Sequence, residues 1–171
     1  MTAKIKEFPG TSLSEQDFDE VKVLFNYDQL NGIYAWDTGI AIGRYLASLK
    51  EGILLGARCT TCRKTIIPPR VVCEWCFHPM DEYVPLQDTG TVNTYSLCYV
   101  TWDVQRIKEP EIPAVIEIDG ASPLCGIMHK LGEVEPSKVH IGMRVKAVWK
   151  PFEERQGAIT DIRYFKPYEE M

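Results

Sequence analysis

The sequence predicts an α+β chain in three parts: N-terminal helices, a metal-stapled ribbon and a small five-stranded β-barrel. Three observations carry this. Two C-x-x-C pairs, Cys59–Cys62 and Cys73–Cys76, stand ten residues apart. Helical periodicity is confined to the region before them. Beyond Tyr83, apolar residues recur in short alternating runs bounded by Gly, Pro and Asp, the pattern of half-buried strands.

With 171 residues, 45% of them apolar, the chain can bury a real core. Its formal charge of -5 and pI near 5.3 disfavour nucleic acid as a main partner, since phosphate backbones select positive surfaces. No run approaches the roughly 18 apolar residues that a membrane span needs. No apolar stretch follows the lysines of Met1–Glu7, so no secretion signal is expected. A cytoplasmic, reducing location is expected, where cysteines serve metals rather than disulfides.

Residues 1–52 read as an arm and helices. Ser14-Glu-Gln-Asp17 looks like a capping box opening a short helix, with Phe18, Val21, Leu24 and Phe25 at helical spacing. Asn26–Gly39 is turn-rich yet holds Tyr27, Leu30, Ile33, Tyr34 and Trp36, apolar surface that lies against the chain's own core or a partner. A second helix is expected from about Thr38 to Lys50, with Asp37 or Thr38 as N-cap and Gly52 as C-cap. Ile42, Tyr45, Leu46 and Leu49 line one side, a stripe that suits core packing or docking on another subunit. Trp36, Tyr45 and Leu49 are the residues expected at a partner interface.

Residues 53–81 form the ribbon. Ile53-Leu54-Leu55 reads as a strand feeding the first knuckle. Each C-x-x-C turn aims two sulfurs at one point, and ten intervening residues suit a hairpin that brings the pairs together as one tetrahedral site at Cys59, Cys62, Cys73 and Cys76. Zinc is the first choice and the role is structural, because four thiolates leave no open position for catalysis; iron satisfies the same ligands. Such a site contributes roughly 10–16 kcal/mol of folding energy, as much as a whole domain's stability of about 5–15 kcal/mol. Ile66, Ile67, Val71, Val72 and Trp75 alone could not replace it.

Residues 82–171 read as all-β. Tyr83–Gln87 precedes the turn Asp88-Thr89-Gly90, and strands are expected at Thr91–Val100, Ala114–Ile118, Leu124–His129, Met143–Trp149 and Ala158–Phe165. A loop is expected at Asp103–Pro113. Five strands in this order match a small Greek-key barrel of OB type, whose closure removes exposed sheet edges.

The chain then resembles a known family, two-domain proteins that join a rubredoxin-like zinc ribbon to an OB-fold. The likeness covers roughly residues 45–167 and rests on Tyr45…Leu49-Lys-Glu-Gly52, the two knuckles with Pro68-Pro69-Arg70 between them, Asp88-Thr-Gly-Thr-Val92, Pro113-Ala-Val-Ile-Glu-Ile-Asp119, Ile141-Gly-Met-Arg-Val145 and Phe165-Lys-Pro167. The resemblance implies an acyl-CoA-associated accessory protein. Relatives partner thiolase-fold enzymes, bridging acetoacetyl-CoA thiolase and HMG-CoA synthase in archaea, and resemble the small zinc-finger subunit of benzoylsuccinyl-CoA thiolase. This chain departs from the pattern in its longer N-terminal region and in Arg63 and Phe77, which stand where a glycine usually follows each knuckle.

No catalytic set stands out. The thiols outside the knuckles, Cys98 and Cys125, read as small buried residues, and His78, His129 and His140 as surface or loop groups. Bond-making chemistry is therefore expected in a partner chain, a thiolase-fold catalytic subunit in a hetero-oligomer. Arg58, Arg63, Lys64 and Arg70 cluster with no acid among them. They suit the phosphates of a CoA thioester, with Arg63, Lys64 and Arg70 the candidates; equally, they offset the dianionic charge of a four-thiolate metal. Tyr99, Trp102 and Trp149 line an adenine slot or the barrel rim. Two other functions keep the same fold: a nucleic-acid-binding ribbon/OB module and a rubredoxin-like electron carrier.

Overall fold

A computed structural model describes residues 14–20, 22, 32, 35–101 and 103–169. The expectations placed on Val21, Leu24, Phe25, Tyr27, Leu30, Ile33, Tyr34 and Trp102 lie outside the described residues. The chain divides into two units, residues 1–36 and 37–171. In the first, α1 (Glu15–Asp19) opens on the expected cap: the Asp17 carboxylate accepts from the Ser14 N–H at 2.9 Å and from its hydroxyl at 2.7 Å.

The second unit begins with α2 (Gly39–Lys50). Asp37 Oδ1 accepts from the Gly39 N–H at 2.9 Å. The helix ends at Gly52, whose φ of 78° lets the chain reverse; a side chain there would strike the Arg155 guanidinium, 2.6 Å away. Ala41, Tyr45 and Leu49 are buried. Their i, i+4, i+8 spacing makes one stripe, and Tyr45 and Leu49 join the main core with Leu54, Ile67 and the barrel residues. The expectation that these two face a partner is thus corrected: Tyr45 is 4% exposed and Leu49 0%, because the barrel supplies the apolar surface that the sequence before the ribbon lacks.

Strands β1 (Leu54–Arg58), β2 (Thr65–Ile66) and β3 (Glu82–Leu86) form an antiparallel sheet in the order β2-β1-β3. The expected strand near Tyr83–Gln87 is β3, paired with β1 along its length from Leu54↔Leu86 to Arg58↔Glu82.

Seven strands follow: β4 (Thr89–Tyr95), β5 (Cys98–Val100), β6 (Arg106–Glu111), β7 (Pro113–Ile118), β8 (Gly126–Lys130), β9 (Arg144–Trp149) and β10 (Ile162–Pro167). Five pair in the order β10-β9-β4-β7-β8, and a parallel bridge Leu131↔Phe165 joins the two ends. That closure is the OB-type barrel. Alternation does what the sequence asks of it: Ala114, Ile116 and Ile118 of β7 and Val145 and Ala147 of β9 point inward, around a fully buried Phe165. Gly90 and Gly126 lie on either side of β7 where a Cβ would come within 2.3 Å of the Glu117 carbonyl oxygen and 2.0 Å of that of Ile116, so the tight wall depends on both.

Two differences stand out. The strand expected over Thr91–Val100 breaks at Ser96 and Leu97, and the expected loop at Asp103–Pro113 contains β6, which pairs with β5 in a separate two-stranded ribbon. Pro110 fits there because such a ribbon leaves outward N–H positions unused.

One polar group in the core lacks a partner. The Tyr45 hydroxyl is buried with no hydrogen bond among the described residues, and burial pushes its pKa up to about 12. A buried hydroxyl left unpaired costs about 1–3 kcal/mol. Tyr45→Phe is therefore expected to leave stability unchanged or raise it by about 1 kcal/mol, read as a higher urea midpoint. A loss instead would mean that the hydroxyl is bonded in solution.

Candidate metal centre

The two knuckles are copies of one backbone device. Cys59 N–H donates to the Lys64 carbonyl (2.8 Å) and Arg63 N–H to that of Cys59 (2.9 Å); Cys73 N–H donates to the His78 carbonyl (2.9 Å) and Phe77 N–H to that of Cys73 (2.8 Å). Both loops need a left-handed residue after the second cysteine. Arg63 (φ 61°) and Phe77 (φ 59°) take that conformation without being glycine, at roughly 1–2 kcal/mol each. Glycine at either position is expected to raise the ribbon's stability by about 1 kcal/mol, measured as resistance to urea with metal bound; an unchanged or lower midpoint would show that the side chain offsets the strain.

The sulfurs converge. All four Sγ atoms lie within 4.8 Å of one another, with Cys59–Cys76 at 3.4 Å and Cys62–Cys73 at 3.5 Å. Four thiolates about 2.3 Å from one ion would stand roughly 3.8 Å apart in a tetrahedron, so the residues fit a metal. Backbone N–H groups surround them. Cys62 N–H points at the Cys59 sulfur (3.5 Å), and with the Thr61 N–H and the neighbouring thiols it brings that thiol's pKa down to about 6. At Cys76 the His78 N–H works the same way, yet burial and the sulfurs of Cys59, Cys62 and Cys73 outweigh it and push the thiol up to about 12. Four thiolates this close repel one another. A cation that ties four thiolates supplies the missing charge, and the site is a structural metal centre.

Beneath it the apolar core is small: Ala57, Cys59, Ile66, Cys73 and Met80 are buried, flanked by Cys62, Cys76 and Tyr83. His78 is exposed and its Nδ1 lies 2.9 Å from the Cys76 carbonyl oxygen, so it steadies the second knuckle from outside. The Lys64 ammonium sits 5.6 Å above the Trp75 ring, linking the two loops.

The other expected residues separate. Arg63 lines a cleft of about 510 Å³ with Arg58, Thr60, Thr65 and Glu82, where Arg58 pairs with Glu82 at 3.7 Å. Lys64 is engaged with Trp75. Arg70 pairs with Glu74 at 2.5 Å and borders a groove beside Ile40, Ile42 and Val71 at the start of α2. The three cations proposed for CoA therefore do not share a cleft. Trp36 is 83% exposed. Cys98 is half-buried, donating weakly to Ser96 Oγ, and Cys125 is buried, with burial pushing its thiol up. Burial also holds the His129 imidazole below its usual value. Tyr99 is exposed, and Trp149 lies under the Arg155 guanidinium at 5.5 Å.

What the sequence reading missed is a polar latch in the barrel. Arg144 grips Asp119 through both nitrogens (2.8 and 2.6 Å) and reaches Thr91 Oγ1 at 3.0 Å, while the Thr89 hydroxyl donates to the same carboxylate. The Arg144 contact first, and then the Thr89 bond, hold Asp119 well below the usual carboxylate range.

Comparison with known proteins follows this architecture. The family profile of the ChsH2 rubredoxin-like zinc ribbon domain matches residues 46–79, and that of the ChsH2 C-terminal OB-fold domain matches residues 83–150. A DUF35 domain-containing scaffold protein of Methanocaldococcus jannaschii is 32% identical over 119 residues, 68% of this chain and 82% of that protein. A crystal structure of a DUF35-family protein of unknown function from Sulfolobus solfataricus shares the fold at a TM-score of 0.60 and 22% identity, covering 77% of this chain and 87% of the other. The Ltp2-ChsH2(DUF35) aldolase shares it at 0.56 and 21%, covering 79% and 98%. With its four-cysteine ribbon closed on an OB-type barrel, the chain belongs to the DUF35 family of ChsH2-like zinc-ribbon/OB-fold proteins.

Proposed function

We propose that this chain is a non-catalytic accessory subunit of a thiolase-type acyl-CoA acyltransferase complex, docking on the catalytic subunit and helping to bind or position the CoA thioester. The observation that carries the reading is the apolar surface of the second knuckle. Val71, Val72, Trp75 and Phe77 are all exposed, Phe77 to 80%, on a loop that the metal centre holds rather than a core beneath it. Apolar side chains fixed in water on a rigid loop are what a partner's surface covers. The relative named as a scaffold protein and the neighbour named as an aldolase assembly support an enzyme-bound role; the thiolase and CoA parts rest on the family resemblance. Arg63, with Arg58 in its cleft, is the leading candidate for a CoA phosphate, ahead of the engaged Lys64 and Arg70. Trp36 is a further interface candidate through its exposure.

Zinc is the proposed ion. A closed four-thiolate set needs no redox change, and the matched ribbon profile is that of a zinc ribbon. Among the described residues no helix is long and apolar enough to cross a membrane; a cytoplasmic hetero-oligomer is the proposed state.

Co-expression with a thiolase-fold catalytic subunit is expected to yield one co-eluting complex whose thioester turnover falls when this chain is omitted. Val72→Asp with Phe77→Asp is expected to weaken the complex at least about tenfold without lowering the melting temperature. Elution of the wild-type chain alone, or thioester turnover by it unaided, overturns the proposal. Purified protein is expected to be colourless with one zinc per chain. A strong chelator should unfold the ribbon, and do so more readily as pH falls, because protons compete for the thiolates; an iron–thiolate spectrum would favour the electron carrier instead.

A further inference from the structure

The barrel closes at only one bridge between β8 and β10, Leu131↔Phe165, and along this seam lie two adjoining clefts of opposite charge. The first, of about 680 Å³, is lined by Glu109, Glu111, Glu133 and Glu135. The second, of about 590 Å³, is bordered by Lys130, Lys150 and Arg163 beside Met128 and Ile159, and by no carboxylate. Lys130 and Tyr164 belong to both. The border is fixed, because the Tyr164 hydroxyl donates to the Glu133 carboxylate, which the Lys166 ammonium also reaches at 3.0 Å. Glu135 pairs with Lys138 at 3.0 Å. Among the described residues Glu109 and Glu111 on one side, and Lys130, Lys150 and Arg163 on the other, are in no ion pair.

A partner of one sign satisfies only half of this face. An anionic chain laid on the cations would run into Glu109 and Glu111, and a basic one laid on the acids would run into the cations, where like charges brought together cost several kcal/mol. A second copy of the chain carries both signs in the same order. A closed two-fold interface brings one patch of each copy against itself, so that residue i meets residue j and j meets i. With the axis at the shared border of Lys130 and Tyr164, the acidic cleft of each copy faces the basic cleft of the other, and the contact is made twice. Met128, 71% exposed, and Ile159, 40% exposed, supply apolar surface for the same contact to cover.

We propose that two copies of this chain pair through the β8–β10 face about a two-fold axis, Glu109 and Glu111 of each copy meeting Lys150 and Arg163 of the other. The face uses none of Val71, Val72, Trp75 and Phe77, so this pairing stands or falls apart from docking on a catalytic subunit. Sedimentation of the full metal-loaded chain over a range of concentrations tests it. A monomer–dimer equilibrium is expected at low salt, with the dimer weakened at least about tenfold in 1 M NaCl, where charges are screened beyond about 3 Å. Glu109→Lys with Glu111→Lys, and separately Lys150→Glu with Arg163→Glu, are each expected to weaken self-association at least about tenfold with the urea midpoint unchanged. An equimolar mixture of the two variants is expected to restore the dimer, because the reversed clefts then complement each other at both contacts. Lys150 is half-buried whereas Arg163 is exposed, so Arg163→Glu alone takes the place of the second variant if its urea midpoint falls. A chain that stays monomeric at every concentration, whether or not polylysine or pyrophosphate binds these clefts, overturns the proposal. So does a dimer that survives both reversals, or a mixture that stays monomeric.

Discussion

The convergence of four cysteine sulfurs is the constraint on which the rest of the ribbon depends. The apolar core under them is too small to fix two knuckles and a two-residue strand, and four sulfurs within 4.8 Å of one another repel once ionised. One bound cation resolves both difficulties, because it draws the thiolates in and replaces missing packing with coordination. It also explains why the chain tolerates Arg63 and Phe77 in a conformation that glycine would adopt freely. Each knuckle is gripped at both ends, so a local cost of a kcal/mol or two is offset by the site as a whole. The same grip keeps Val71, Val72, Trp75 and Phe77 in water, where an unsupported loop would collapse to hide them.

A ribbon held this way is useful only if it is fixed to the barrel. Thr65 and Ser122 exchange two hydrogen bonds of 2.9 Å, tying β2 to the turn between β7 and β8. Leu54 and Ile67 of the ribbon share the core with Tyr45 and Leu49 of α2 and with Ile116 and Phe165 of the barrel. The latch of Thr89, Asp119 and Arg144 then clamps β4, β7 and β9 where the barrel meets β3. All three residues fall inside the motifs that carried the family resemblance, which gives those motifs a physical reason: a bidentate Arg–carboxylate pair has fixed geometry and sets the relation of three strands at once.

The metal ligands were legible because cysteine spacing is chemistry written in sequence order, and the five barrel strands because alternation reports a buried face. Alternation does not report which strand is the partner, and only the fold shows that Tyr83–Leu86 pairs with Leu54–Ala57. The β5–β6 ribbon was invisible since Arg106–Glu111 has little apolar residue to alternate and a proline within it. Tyr45 and Leu49 looked like interface residues for a related reason. A helical stripe announces that it is covered, and only the fold says by what. Proximity in sequence makes one patch of Arg63, Lys64 and Arg70, yet in the fold they diverge, while Lys130, Lys150 and Arg163, spread over the chain, line one cleft. Clusters made by barrel closure leave no local signal.

Among the described residues the thiols and the His129 imidazole are engaged in structure. A nucleophilic cysteine needs a lowered pKa and a base within reach. Cys125 is buried and pushed the opposite way; Cys98 faces Ser96 rather than a histidine; the imidazole of His129 is spent on the turn that shapes the seam. Four of the six cysteines meet at one point as metal ligands. Thiols and an imidazole engaged in structure, beside apolar side chains displayed on the second knuckle, accord with the accessory role proposed above.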